Sequence, residues 1–454
     1  MALYGLVRFD IEDFITAESD EALQFILDVM DEYQMPASYG VVGKKAQFLR
    51  DHGHTDILAR LAEKTALGFH STSHSEHPTI AEDLAPLSYD KGVAHFIHRE
   101  QTGIETVTRL MKAPLYFTQP GGNWVPEACD ALAQLHMPIF FSDSWNSYIV
   151  TLTQPMWIED IVHWSLPVVS PKPFAMQLPD NLDQAVHMIE QAAQSMAGGE
   201  AFMIMVHPTE LVTTKFWDAV NFQFGATQAT LRKAPLRSLA DRQQAFDGFR
   251  QYVGRIREIE GIEWMDVVSL THRIRPQTPP RQVPLPHLVD AISVGGLGPC
   301  VIQEESFSAA ELVVALALSL KGATPGHMLP QVKAPLTWDH PEVMNVESHE
   351  PLGLDRVVDY AQEIVSRVIE SSRLPEKLGK GAVSIEHWAY SALFHVRHAV
   401  SLPSLPLRFL DYVKDPAELH WDWPIFPPDF QPYRLWQETR RLVWSLKLAQ
   451  YQPS

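Results

Sequence analysis

Short apolar runs in the first half of this chain each end in chemically loaded side chains, and that pattern restricts the fold more than any other feature. Leu3 to Phe9 runs into Asp10-Ile11-Glu12-Asp13, and Gly68-Phe69 runs into His70-Ser71-Thr72-Ser73-His74. Leu115-Tyr116-Phe117 leads to Gln119-Pro120-Gly121-Gly122-Asn123-Trp124, Pro138 to Phe141 leads to Ser142-Asp143-Ser144-Trp145, and Ala201 to Val206 leads to His207-Pro208. Short apolar runs bounded by turn residues read as buried strands, and apolar residues at helical spacing read as helices. Pro36 to Val42 is a further strand. Helices are predicted over 20–33, where Leu23, Ile26, Leu27 and Met30 share a face, and over 45–61 and 101–111. Strands alternating with helices, with polar chemistry at strand C-terminal ends, predict an α/β fold: a (β/α) barrel or a related sheet.

The polar groups themselves point to a metal site. Two imidazoles and one carboxylate, with positions left for water and substrate, suit Zn²⁺ or another first-row divalent ion that activates water for hydrolysis. The His70/His74 pair alone is weak, because 20 His in 454 residues supply about one H-x-x-x-H by chance, so the context carries the weight. Strand alternation puts Asp10 and Glu12 on one face, with Asp13 at the strand end. Each residue also has a plainer reading. Asp10 could cap a helix, Glu12 or Asp13 could be a solvated charge, His207-Pro208 could close a strand and Asp143 could sit in a turn. Trp124 and Trp145 serve equally as core or as sugar platforms. The aromatic stretch Phe216 to Phe222 is either a lid or a packed helix.

In order and spacing these groups resemble the five motifs of the polysaccharide deacetylase domain, the NodB-homology domain of carbohydrate esterase family 4, over about residues 1–273. Phe9 to Asp13 is similar to the first motif, His70-Ser71-Thr72-Ser73-His74 to the second (H-[ST]-x-x-H), and Phe117 to Asn123 to the third. Asp143-Ser144-Trp145 resembles the fourth and Ile204 to His207 the fifth. The resemblance implies a distorted (β/α) barrel of the NodB type, with Asp10 as general base and His207 as general acid. It also implies a divalent metal, Zn²⁺ foremost, held by His70, His74 and one of Glu12 and Asp13, with Glu12 favoured by alternation. Asp143 joins the catalytic set, and Pro120, Gly121, Gly122, Asn123 and Trp145 form the substrate wall. Two departures stand out. The acidic run is D-x-E-D where the commoner motif has adjacent acids, and Thr118 stands where the third motif carries an Arg. Loss of that guanidinium would leave the catalytic carboxylate less firmly oriented.

Pro276 to Pro286 is proline-dense and cannot form regular helix or central strand. It predicts a boundary: a catalytic domain over 1–273, a linker over 274–287 and a smaller, mainly helical domain over 288–454. The latter reads as a degenerate duplication. Phe307-Ser308 opens an apolar helix to Leu320, followed by Leu329-Pro330 and Asp339-His340-Pro341-Glu342. Val383-Ser384 opens a second helix with His387 to Val400, followed by Leu405-Pro406 and Asp415-Pro416-Ala417-Glu418. The units span about 306–342 and 382–418 and are weakly similar to pseudomurein-binding repeats; equally, such helices could form a subunit interface or cover the catalytic domain. Residues 434–448 read as an amphipathic helix.

Composition narrows the partners. A net charge of −19 opposes nucleic acid and anionic polymers. No apolar run is long enough to span a membrane and no leader is apparent, so a mature or cytoplasmic protein is expected. Cys129 and Cys300 are distant, so no disulfide framework is expected and a reducing compartment fits. The expected activity is metal-dependent removal of an acetyl group from an N-acetylated amino sugar or glycan. The alternatives are hydrolysis of a cyclic amide or ureide such as allantoin on the same fold, and a catalytically silent glycan-binding or assembly protein, possible as a homo-oligomer through the C-terminal part.

Overall fold

The computed structural model describes residues 2–171, 181–338, 343–345, 350–397, 404–419, 421 and 423–452. Its centre is a ten-stranded sheet. In chain order the strands are β1 (Leu3–Ile11), β2 (Ser38–Val41), β3 (Ala66–Phe69), β4 (Tyr116–Phe117), β5 (Ile139–Asp143), β6 (Met156–Ile158), β7 (Ile161–Leu166), β8 (Ala201–Val206), β9 (Ile262–Met265) and β10 (Lys447–Leu448). The order across the sheet is β10-β6-β7-β5-β4-β3-β2-β1-β8, with β9 beside the first half of β1. From β7 to β8 every pairing is parallel, whereas β6 and β10 add antiparallel edges.

The sheet curls back on itself. Just beyond β7, the Val169 N–H donates to the Met203 carbonyl at 2.8 Å and the Met203 N–H donates to the Pro167 carbonyl at 3.0 Å, which joins β7 to β8 and makes a distorted barrel. Strand alternation fills it. On β1, Tyr4 and Leu6 join an inner cluster with Phe141, Trp164, Leu166 and Met203, while Val7, Phe9 and Ile11 face the surrounding helices. The next inward positions are Arg8 and Asp10 on β1 and Glu12 just past its end, all buried, so the floor of the site continues the barrel's own interior row.

Most expected elements are present with shifted ends. The helix expected over 45–61 is two helices, Gly43–Asp51 and Thr55–Glu63, because Gly53 adopts φ +81°, a left-handed conformation that stops the first helix. The helix expected from 101 begins earlier, at Tyr89. Residues 434–448 are not one helix. Helix Tyr433–Leu442 gives way to a 3₁₀ turn, Val443–Ser445, and then to β10, because the open edge of β6 offers Trp157 and Met156 as partners for Lys447 and Leu448.

Beyond residue 284 the described residues show one order twice: a helix, a two-stranded hairpin and a helix capped by serine. Leu285–Gly295, the hairpin Cys300–Ile302/Glu305–Phe307 and Ala309–Leu320 are followed by Leu354–Ser371, the hairpin Lys377–Leu378/Val383–Ser384 and Ile385–Val396. Ser308 and Ser384 accept the N–H groups of Glu311 and His387, satisfying the first turns. The landmark Asp339 to Glu342 and the end of the expected helix, 398–400, lie outside the described residues. The apolar helix Ala309–Leu320 is buried in its own chain from Ala309 to Ala317, and Glu311 is paired with Lys447 of β10 at 2.9 Å, so covering it requires no second copy.

Candidate functional site

Glu12, His70 and His74 meet over the C-terminal mouth of the barrel. Glu12 Oε2 lies 3.2 Å from His70 Nε2 and 2.8 Å from His74 Nε2, and all three side chains are buried. The turn between the imidazoles makes this possible: Ser71 and His74 adopt φ +69° and +51°, and Ser71 Oγ accepts the His74 N–H at 2.9 Å. Non-glycine residues hold such backbone angles only where the surroundings enforce them.

The far side of each ring is held as well. His70 Nδ1 contacts the Thr118 carbonyl at 2.9 Å; His74 Nδ1 contacts Ser75 Oγ at 2.6 Å, and that hydroxyl donates to Asp218 Oδ2 at 3.2 Å. Trp217 Nε1 donates to Glu12 Oε1 at 2.8 Å. Both histidines therefore turn Nε2 toward one carboxylate oxygen, with outer partners setting orientation as in metal sites. Among the described residues His74 Nε2 is buried without a hydrogen-bond partner, its contact with Glu12 being an ion pair rather than a hydrogen bond. An orphaned ring nitrogen, a second imidazole and a carboxylate fit a divalent cation. Burial alone would raise the Glu12 carboxyl, but the charges of His74 and His207 with the hydrogen bond from His70 hold it well below the usual carboxylate range.

Asp13 turns elsewhere. Its carboxylate accepts the N–H groups of Ile15 and Thr16 and the Thr209 hydroxyl, at 3.0, 2.8 and 2.7 Å, so it ties the loop after β1 to the turn after β8. Asp10 and His207 face each other beside the Glu12 group, with His207 Nε2 3.7 Å from Asp10 Oδ2 and His207 Nδ1 3.5 Å from Glu210 Oε2. Burial opposes charge on His207, but Glu12, Glu210 and Asp10 outweigh it and push the imidazole up to about 9. Gly40 keeps the floor open, since a Cβ there would lie 2.8 Å from Thr118 Cγ2 and 3.5 Å from Asp10 Oδ1.

A guanidinium steadies Asp10 after all. Arg8, two residues upstream on the same face of β1, donates to Asp10 Oδ2 at 2.9 Å and to Asp143 Oδ2 at 3.3 Å, with its guanidinium 5.6 Å from the Phe141 ring centre. Alternation places Arg8 on the face of Asp10, but only the fold brings Asp143, 135 residues on, to the same guanidinium. Asp143 is engaged on its other oxygen by the N–H groups of Trp145 and Asn146, both at 2.9 Å, and by the Asn146 amide, so it positions Arg8 and the loop after β5.

Breaking a buried charge pair costs about 3–5 kcal/mol because the surviving charge is left uncompensated. Arg8→Met should lower unfolding free energy by about that much in urea titrations, and adding Asp143→Asn should recover part of the loss. A single variant within about 1 kcal/mol of wild type would show that the guanidinium does not hold these carboxylates.

The remaining expected residues divide. Gly121 and Trp145 line the cavity over the site, together with Gln119, Asn146, Met205 and Phe216. Pro120, Gly122 and Asn123 do not; Asn123 is buried and accepts the Ala81 N–H at 3.0 Å, fixing the turn from behind. Trp124 is core, stacked on Phe140 with centroids 6.0 Å apart. The stretch after Phe216 is a packed helix, Trp217–Asn221, that delivers Trp217 to Glu12. The cavity also contains a residue no strand-end motif indicates, Trp423.

Residues 9–140 match the polysaccharide deacetylase family, a span that includes the first three motif-like segments and stops short of Asp143 and His207. No curated protein sequence matches the chain. Among solved structures, the Bc1960 peptidoglycan N-acetylglucosamine deacetylase is 15% identical, with 59% of this chain and 86% of that one covered and a TM-score of 0.34. Peptidoglycan deacetylase PdaC from Bacillus subtilis is 12% identical, with 60% and 91% covered and a TM-score of 0.32. BA3943 from Bacillus anthracis, a CE4 family pseudoenzyme, is 11% identical, with 59% and 65% covered and a TM-score of 0.32. Likenesses this low identify neither substrate nor activity.

Proposed function

With residues 9–140 a polysaccharide deacetylase-like segment and the chain a hydrolase of that type acting on carbon–nitrogen bonds, we propose that it uses a divalent metal, Zn²⁺ foremost, to remove the acetyl group of an N-acetylated amino sugar. The observation that carries this is the convergence of Glu12, His70 and His74, each held from behind by a second group. When bound, such an ion acidifies water and polarises a carbonyl oxygen.

The chain's own residues supply the rest. Among the described residues Asp10 Oδ1 is buried without a hydrogen-bond partner and would accept the proton of the attacking water, while Arg8 holds the opposite oxygen. Water oxygen bonds to the acetyl carbon, the C–N bond breaks, and His207, kept in place by Glu210, gives its proton to the departing amine nitrogen, leaving acetate and a free amine. Asp143 acts through Arg8 and through the Trp145 loop rather than on the substrate. Among the described residues no helix is long and apolar enough to cross a membrane, and the free Cys129 and Cys300 fit a reducing compartment, with the cytoplasm as the proposed location.

The test is product chemistry. Zinc-loaded protein given N-acetylated amino sugars should release acetate and free amine in equal amounts. Ring-opened product from allantoin, with no acetate from any N-acetyl compound, would replace the deacetylase reading with the ureide one.

A further inference from the structure

The cavity over Glu12, His70 and His74 is about 240 Å³, below the roughly 300–1,000 Å³ of ordinary small-molecule pockets. Its floor is polar and its walls are mostly apolar: Met205, Phe216, Trp145 and Trp423 stand around the carboxylates and imidazoles, with Gln119 and Asn146 among them. Trp423 comes from the C-terminal segment and from none of the loops that follow the barrel's parallel strands. It lies against the turn after β4, where a Cβ on Gly121 would be 3.2 Å from Trp423 Cε2 and where Gly121 has φ +43°. Both the space and the backbone angle at 121 favour glycine.

The segment carrying Trp423 is bonded to the barrel on both sides. Before it, the Lys414 N–H donates to the Tyr148 carbonyl at 3.0 Å, Lys414 Nζ donates to the Ser144 carbonyl at 2.5 Å, and Trp421 Nε1 donates to the Tyr148 hydroxyl at 3.1 Å. After it, the carbonyls of Pro424 and Ile425 accept the N–H groups of Phe224 and Gly225 at 3.0 and 2.8 Å, and the side chains of Ile425 and Phe426 are buried. These bonds tie it to the loop that holds Trp145 and to the chain just past the helix that holds Trp217.

Resting on the hydrolase reading for its chemistry, we propose that Trp423 completes the substrate pocket and restricts the substrate to an N-acyl amine of a single ring, excluding interior units of a polymer. An interior unit must leave the site on both sides and an end unit on one, and a cavity of about 240 Å³ holds little beyond a single ring. Here the side bounded by the Gly121 turn is closed by an indole, whose face would stack on the ring of a bound unit in an otherwise apolar wall.

Binding, which needs no turnover, tests this. Saturation-transfer NMR on the zinc-loaded full chain would compare N-acetylglucosamine and N-benzylacetamide with tetra-N-acetylchitotetraose. The two single-ring amides should bind, and the tetrasaccharide at least about tenfold more weakly. Trp423→Ala should weaken N-benzylacetamide at least about fivefold and narrow the gap to the tetrasaccharide, with metal content unchanged, whereas Trp423→Phe should stay near wild type. Tetrasaccharide binding as tight as the single rings, no binding of either single ring, or an unaltered Trp423→Ala would each overturn the proposal. Binding as expected with no acetate released from any amide would sink the deacetylase reading alone.

Discussion

Replacing His70 and His74 together with alanine should empty the site: purified wild-type protein is expected to hold close to one divalent ion per chain, and the double variant none. Both imidazoles point Nε2 at a single Glu12 oxygen, so removing them takes two of that group's three ligands and leaves Glu12 with Asp10 and His207, which the proposed reaction keeps for proton transfer. Acetate release should fall to background in the variant. Because both rings are buried and their loss opens space, stripping wild type with dipicolinate provides a second measurement: activity should vanish with the metal and return on adding zinc. Metal retained by the double variant, or activity in stripped protein, would remove the proposed site.

The second large effect separates proton transfer from metal binding. Asp10→Asn should keep the metal and lose about 10²–10⁴-fold in turnover, the usual contribution of a positioned acid–base group. Asparagine preserves the shape and the Arg8 contact at one oxygen, but cannot take the water's proton. Glu12→Gln should instead weaken metal affinity. Asp13→Asn should leave metal content alone and loosen the loop it ties, since its oxygens are taken by Ile15, Thr16 and Thr209. Turnover unchanged in Asp10→Asn, or metal lost from Asp13→Asn, would break this division of roles.

Period-two alternation along Leu3 to Glu12 and the spacing of His70 and His74 are local properties, and local properties survive in a sequence. Hence the strands, the positions of the loaded loops and the shared face of Asp10 and Glu12 were legible there, whereas the grouping of these two with His70, His74 and His207 came from the resemblance of the motif order to the deacetylase domain. Thr118 at the family's arginine position was legible too, but not its remedy, for Arg8 reads as a polar break in an apolar strand until Asp10 and Asp143 are seen around it. Between Glu12 and Asp13 alternation gave only a lean, because the residues adjoin at the end of β1 and their directions depend on which loop closes over them. Pro120, Gly122 and Asn123 belong to a motif-like turn, but only its packing shows that they lie off the cavity and that Asn123 fixes the turn from behind.

What lies across long sequence separations was decided by the tertiary structure. The strand β10 has two residues and no pattern of its own; it exists because the edge of β6 offers unpaired N–H and C=O groups. Trp423 is one of 12 tryptophans, with nothing in its neighbours to separate a pocket wall from a core filler. Its place follows from hydrogen bonds to loops about 200 residues or more upstream. A sequence by itself determines which residues share a strand face and which chemistry ends each strand, since both follow from backbone periodicity. Which distant side chain closes the space over that chemistry depends on how the last segment packs, and only the folded chain decides it.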